Sequence, residues 1–229
     1  MDRAALAIPK LVSFAILPFS PLTSELANRA HAAGKEILLH LPMEAQGHNN
    51  LLGPGALDTE MPYAEYTAAI RRAIADVPHL TGVNNHMGSL LTQDPTRMRW
   101  LMETLDENGD LLYIDSRTTS HSAAGPAARN VGVPYLARDV FLDNVREFEY
   151  IDARVDELIE TALRRGYALA IAHPHPETLE VLRARLGNLD RVRVVTLADL
   201  AQVRTCTALL KSSAAAESNH NRYDSESTE

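Results

Sequence analysis

The chain has one cysteine, Cys206, close to its C-terminus. A lone cysteine excludes an intrachain disulfide and a cysteine-built metal cluster, and leaves the compartment open on redox grounds. Long apolar runs are missing too: no stretch approaches the roughly 20 residues that cross a bilayer. The opening "MDRAALAIPK" lacks the basic flank followed by an apolar block that marks a secretory signal. As written, the chain would stay in the cytoplasm. Positive charge is in deficit. With a net charge of -8 and no Lys/Arg-rich face, the chain lacks the electrostatic footprint of a nucleic-acid binder. The glycine-containing stretch "GPGALDTEMP", residues 53–62, has no Lys-Ser/Thr pair, so it is not a phosphate loop and reads as a long loop bordering a cleft.

What remains is an ordinary globular composition, 45% hydrophobic and 23% charged over 229 residues, enough for one sizeable core. Short β-branched or leucine-rich runs alternate with helical stretches, the pattern of α/β architecture with a parallel sheet. Seven strands are expected, in "VSFAILPF", "EILLHLPM", "TGVNNHM", "LLYIDSRT", "VPYLARDVFLD", "YALAIAHP" and "RVRVVTL". The helices between them carry clear punctuation. "DPTRMRWLMETLDENG" has Asp94 as N-cap, Pro95 at the first helical position and Gly109 at the stop, and Gly34 and Gly166 end two others. The chain opens within a helix, "DRAALAIPK", with no strand before it; a βα unit lacks its β. The polar tail from Ser212 onward is expected to be disordered, which sets a domain over residues 1–205 and a tail over 206–229.

Several expected strands end in polar residues, and in a parallel α/β fold such ends gather on the face where loops build the active site. In "GVNNHMGS" an apolar approach ends in Asn84, Asn85 and His86, amides suited to holding a ligand and the groups behind it. His40 follows three apolar residues in "EILLHLPM" and precedes a proline expected to end the strand. Histidines at the ends of adjacent strands suit zinc, so His40 and His86 are the candidate metal ligands. "YIDSRT" offers Asp115 as a base or as the residue that orients one. Arg117 either binds a substrate oxygen or pairs with Asp115. In "RDVFLDN", Asp139 is assigned to structural hydrogen bonding. "AIAHPHPE" ends an apolar strand in His173, a candidate acid or base. His175 is expected to face solvent in the turn, and His31, His48, His79, His121 and His220 are given no role.

In this order and spacing, "HLPME", "GVNNHMGS", "DSRT", "RDVFLDN" and "AHPHPET" resemble the divergent polysaccharide deacetylases, the YibQ-like branch of the NodB-type carbohydrate deacetylases. The resemblance runs from about residue 8 to about residue 203. It implies a distorted (β/α) barrel, here without its first strand, and a divalent metal, usually zinc, held by an aspartate and two histidines. It also implies hydrolysis of acetyl groups on an acetylated polysaccharide or oligosaccharide, in the periplasm or outside the cell. Carried over, His86 and His40 would reach the metal, Asn84 and Asn85 would order its ligands or the sugar, and His173 would be the acid. Members of the family begin with a strand ending in Asp-Asp-Leu-Gly, which carries the metal and base carboxylates; here that strand is absent. The chain on its own would then lack the base, and a glycan-binding or cell-envelope accessory role on the same fold stands as the alternative.

Overall fold

The computed structural model describes residues 3–8 and 12–207. A short helix α1 (Arg3–Leu6) is followed by β1 (Phe14–Ile16), α2 (Thr23–Ala32), β2 (Ile37–Met43), α3 (Tyr63–Asp76) and β3 (Leu80–Met87). Then come α4 (Pro95–Glu107), β4 (Leu112–Asp115), α5 (Ala124–Val131), β5 (Tyr135–Ala137) and β6 (Val140–Phe141). The chain continues through α6 (Phe148–Arg165), β7 (Ala170–Ile171) and α7 (Pro176–Leu186), and residues 197–207 are helical. β1 to β5 form one parallel sheet in sequence order, and β6 pairs with β7, also parallel, in a second. The α/β class with a parallel sheet is as expected from the alternation of apolar runs and capped helices. Asp94 caps α4 as foreseen, accepting from the backbone N–H groups of Thr96 and Arg97 at 2.8 and 3.1 Å.

Three local expectations change. "VPYLARDVFLD" is two strands, because the Asp139 carboxylate takes the Leu169 N–H at 2.9 Å and the Arg165 guanidinium, and so breaks the run between β5 and β6. "RVRVVTL" forms no strand among the described residues. Its Val195 packs instead into an apolar cluster, and Leu197 N–H ends on the Glu36 carboxylate. Pro42 does not end β2. β1 runs beside β2 only as far as Leu39, so the side of Pro42 that lacks an N–H meets no strand partner, and its carbonyl accepts from Leu57 N–H at 2.9 Å. The boundary at 205 falls inside the helical segment, and most of the expected tail, 208–229, lies outside the described residues.

The five-stranded sheet has two different faces, set by the alternation of side chains along each strand. One face, carrying Ile37, Leu39, Leu41, Val83 and Tyr113, is covered by the main core that α3, α4 and α5 complete. The other carries Leu38, Leu112, Ile114 and Leu136, packed against Leu197, Leu200 and Leu169. This inner face changes character along the strands: above its apolar floor come His40, Asn84 and His86. A β-bulge sets that arrangement. Ile37 pairs with Leu80 but Leu38 pairs with Gly82, leaving Thr81 as an extra residue in β3. One inserted residue shifts the phase of all that follows, and it brings Asn84 and His86 onto the same face as His40.

Candidate active site

His40 lies opposite Asn84 in register, and His86 lies two pairs further on, opposite Pro42 and on the same face. A chain of hydrogen bonds connects them, and its direction can be read from one end. Ser116 Oγ donates to the Asn85 carbonyl at 2.9 Å, so its lone pair receives Asn84 Nδ2 at 3.3 Å. The Asn84 amide is thereby oriented with Oδ1 toward His40, whose Nδ1 donates to it at 2.9 Å. A neutral imidazole protonated at Nδ1 has its lone pair at Nε2, and there it meets His86 Nδ1 at 3.0 Å. Burial, together with the nearby His86 and His173, pushes the His40 imidazole down to about 4, with the Asn84 bond opposing. His40 is therefore neutral at physiological pH. His86 is likewise lowered, first by burial, while the Leu51 carbonyl, 3.5 Å from its Nε2, pulls the other way.

A second group stands beside the first. Asp143, just past β6, is buried and accepts three hydrogen bonds: from His173 N–H at 2.6 Å, Thr178 Oγ1 at 2.9 Å and His173 Nδ1 at 3.2 Å. Burial alone would raise its carboxyl, but the His173 and Thr178 bonds hold it below the usual range. The same bond to Asp143 raises the His173 imidazole against the opposing effect of burial. His173 is exposed, its ring edge-on to Phe141 with centroids 5.5 Å apart. Its charge disfavours protonation of both His40 and His86, so the three imidazoles share one electrostatic neighbourhood. Asp143, His173 and His175 bring ligand atoms within 4.8 Å of one another and could hold a metal ion.

Not every residue singled out in the sequence points into this cleft. Asp115 ends β4 on the face of Tyr113, and both its oxygens are engaged, one by Arg117 N–H at 2.7 Å and the other by Tyr135 OH at 3.0 Å. Asn85 also faces the helix layer. Its Oδ1 accepts from Ser116 N–H at 2.8 Å and Tyr113 OH at 3.3 Å, while Nδ2 donates to the Met87 carbonyl at 2.7 Å. Arg117 does not form a salt bridge with Asp115 or with any other described residue; it stands exposed on a left-handed backbone, φ 50°. Arg138 fixes that turn by donating to the carbonyls of Ser116 and Arg117 at 2.7 and 2.8 Å. Asp139 has the structural role expected of it. Two residues without an assigned role in the sequence, Asp143 and His175, join the site. Asp143 would have been found by ending a strand at Phe141, and His175 by the i, i+2 spacing in "HPHP", which puts both rings on one side of an extended segment.

Comparison with known proteins identifies the family and the fold. The sequence matches the family described as divergent polysaccharide deacetylase over residues 1–201. It is 38% identical over 210 residues to the uncharacterized protein YibQ of Escherichia coli K12, covering 90% of this chain and 65% of that protein. An uncharacterized protein of Haemophilus influenzae is 36% identical over 200 residues, 87% of this chain and 71% of its own. The chain thus spans about two thirds of the length of these relatives. The fold is shared with the uncharacterized protein ATU2773 from Agrobacterium tumefaciens C58, at TM-score 0.75 and 24% identity over 80% of this chain and 76% of that one. A lactam utilization protein from Thermus thermophilus is similar at TM-score 0.54 and 16% identity, over 82% of this chain and 89% of that one. By the match across its first 201 residues and by these relatives, the chain belongs to the divergent polysaccharide deacetylase family.

Proposed function

We propose that the protein is a metal-dependent hydrolase that removes acetyl groups from a polysaccharide, with His40 and His86 as metal ligands and His173 as proton donor. One observation carries the reading: His40 Nε2 and His86 Nδ1 lie 3.0 Å apart at the mouth of the inner face. Two nitrogens bound to one zinc at about 2.0–2.1 Å are roughly 3.3 Å apart in tetrahedral geometry, so the pair fits an ion with little movement. The donor set is right for zinc as well, since His40 is held neutral and its Nδ1 is tied to Asn84. In the metal-free protein Asp143 accepts three hydrogen bonds, two of them from His173, and so orients that histidine. A divalent ion at His40 and His86 would supply Lewis acidity toward the acetyl carbonyl and a lowered pKa for water.

The chain's own residues do the rest. His173 keeps Nδ1 on Asp143 and presents Nε2, from which it protonates the departing sugar oxygen or nitrogen. Asp143 stabilises the imidazolium before that transfer and holds the ring in place afterwards. Asn84 and Ser116 fix the tautomer of His40. Arg117, with its turn clamped by Asp115 and Arg138, offers its guanidinium to a sugar oxygen.

The test measures zinc content and acetate release from acetylated oligosaccharides. Chelation should abolish release and zinc should restore it, and His86→Ala should weaken zinc binding far more than His48→Ala, since His48 sits in the loop before the turn at Asn49–Leu51. Equal zinc affinity in the two variants would overturn the assignment. Oligosaccharide binding without acetate release would assign the glycan-binding role instead.

A further inference from the structure

His175 caps nothing. It occupies the N-cap position of α7 without a side-chain capping bond; its ring lies beside that of His173, centroids 5.4 Å apart, and acts on the Glu177 carboxylate, helping to lower it. Yet its backbone is closely determined. His173 and His175 each precede a proline, which confines both to extended conformations, and His175 has φ -72° and ψ 148°. Both imidazoles therefore project from one side of a stiff segment, next to the buried Asp143 carboxylate, which Thr178 holds from behind at 2.9 Å. Two nitrogens and one carboxylate oxygen within 4.8 Å make a three-ligand set with borderline-soft donors, of the kind that takes zinc and leaves a position open.

We infer that Asp143, His173 and His175 form a second divalent-cation site of the zinc type, separate from the His40–His86 pair, and that filling it withdraws His173 from proton transfer. A cation there replaces the proton on His173 Nδ1 and takes the Asp143 oxygen that this proton bridges, 3.2 Å away. With that proton released to solvent and the ion on Nδ1, His173 is a neutral imidazole fixed in place, and its remaining Nε2 proton is no longer acidic enough to be delivered. Excess zinc thus inhibits the enzyme that a first zinc activates. The site itself stands on geometry alone; the inhibition rests on the reading of His173 as proton donor given above.

Zinc is the probe, titrated calorimetrically into the chelator-stripped 229-residue chain in a buffer free of phosphate. Two ions per chain are expected for the wild type, and His175→Ala should weaken the second by at least about tenfold while leaving the first unchanged. His175→Gln, which keeps a polar group on the surface, should behave alike, with thermal unfolding of both variants confirming the fold. One ion per chain, unaffected by either substitution, overturns the site; one ion that either substitution removes overturns its being second. In acetate release, zinc should inhibit the wild type once the first site is filled, and His175→Ala should need at least about ten times more zinc for the same inhibition. Identical inhibition in both overturns the regulatory half. No release at any zinc concentration removes that half together with the deacetylase reading, while the stoichiometry still decides the site.

Discussion

Replacing Asn84 by leucine tests whether the inner-face relay prepares His40 for a metal. Asn84 is buried between two partners, accepting from His40 Nδ1 at 2.9 Å and donating to Ser116 Oγ at 3.3 Å. Leucine keeps the branching and the number of side-chain heavy atoms, although it is bulkier, and removes both functions. A buried N–H left without an acceptor costs about 1–3 kcal/mol, and the lost bond to Ser116 adds about 0.5–1.5 kcal/mol. New apolar contact over the Ile114 floor returns about 1 kcal/mol. The net loss of about 1–3 kcal/mol corresponds to a fall in Tm of roughly 3–10 °C for a chain of this size. Released from Asn84, His40 also loses the tautomer that aims the lone pair of Nε2 at the cleft, and loss of such an orienting partner typically lowers metal affinity about 10–100-fold.

The stability effect alone would fit a merely structural asparagine, so a second variant separates the two. Asn84→Asp keeps an acceptor for His40 Nδ1 but cannot donate to Ser116 and buries a charge. It should lose stability at least as severely as the leucine variant while binding zinc nearly as well as the wild type. Thermal unfolding of the metal-free protein and calorimetric zinc titration provide the two axes, and long-range proton–nitrogen NMR reads the His40 tautomer directly. Wild-type zinc affinity in Asn84→Leu, or greater loss of affinity in Asn84→Asp than in Asn84→Leu, refutes the relay.

Asp143→Asn should lower the titration midpoint of His173, followed by NMR, because the bond that raises it is lost and the opposing effect of burial remains; an unchanged midpoint would show that Asp143 does not govern it. The linked stability has a defined window. His173, raised in the folded state, contributes fully below its ordinary value of 6.5 and less as pH climbs through the raised one. Asp143, lowered, contributes above its ordinary 3.8 and less as pH falls through the lowered one. In metal-free protein the pair therefore stabilises most between about pH 4 and 6.5, and the asparagine variant should lose that excess in melts across pH. Gly82→Ala tests the close approach of β3 to β4: a Cβ there would lie 2.6 Å from the Leu112 carbonyl oxygen and 2.8 Å from Leu112 Cγ. Overpacking against backbone should cost about 1–3 kcal/mol, and a melt within about 1 °C of wild type would mean that the strands can part.

Which residues would stand at the ends of strands was legible, because the signals are local. Apolar runs of about four to eight residues, a helix after each and a polar group between them place His86, Asp115 and His173 without knowledge of the fold. Where those signals are mixed, tertiary partners decide. "RVRVVTL" alternates like a strand, yet Val195 and Leu197 are claimed by the inner apolar cluster and by Glu36. Asp139 splits an apparently continuous run because its carboxylate binds Arg165 and Leu169 across the break, and with the split hidden, Asp143 passes for loop rather than strand end.

Facing is a different kind of information. Asn84, Asn85 and His86 form one polar run in the sequence, and alternation guarantees only that Asn85 points away from the other two. Which of them enters the cleft depends on the phase of β3 against β2, and that phase turns on Thr81, the extra residue in the bulge, whose hydroxyl donates to the Ile37 carbonyl at 3.1 Å. Were the ladder unbroken from Leu80 opposite Ile37, Val83 would lie opposite His40, Asn84 and His86 would turn to the helix side, and Asn85, opposite Pro42, would share the face of His40. The same logic separates Asp115 from the histidines: it lies in phase with Tyr113, on the opposite face from Ile114, and its oxygens are held by Tyr135 and the Arg117 turn. A strand-end residue in a parallel sheet is therefore only half a prediction of a site residue. The other half is a one-residue register decision, taken here at a threonine that touches none of the chemistry.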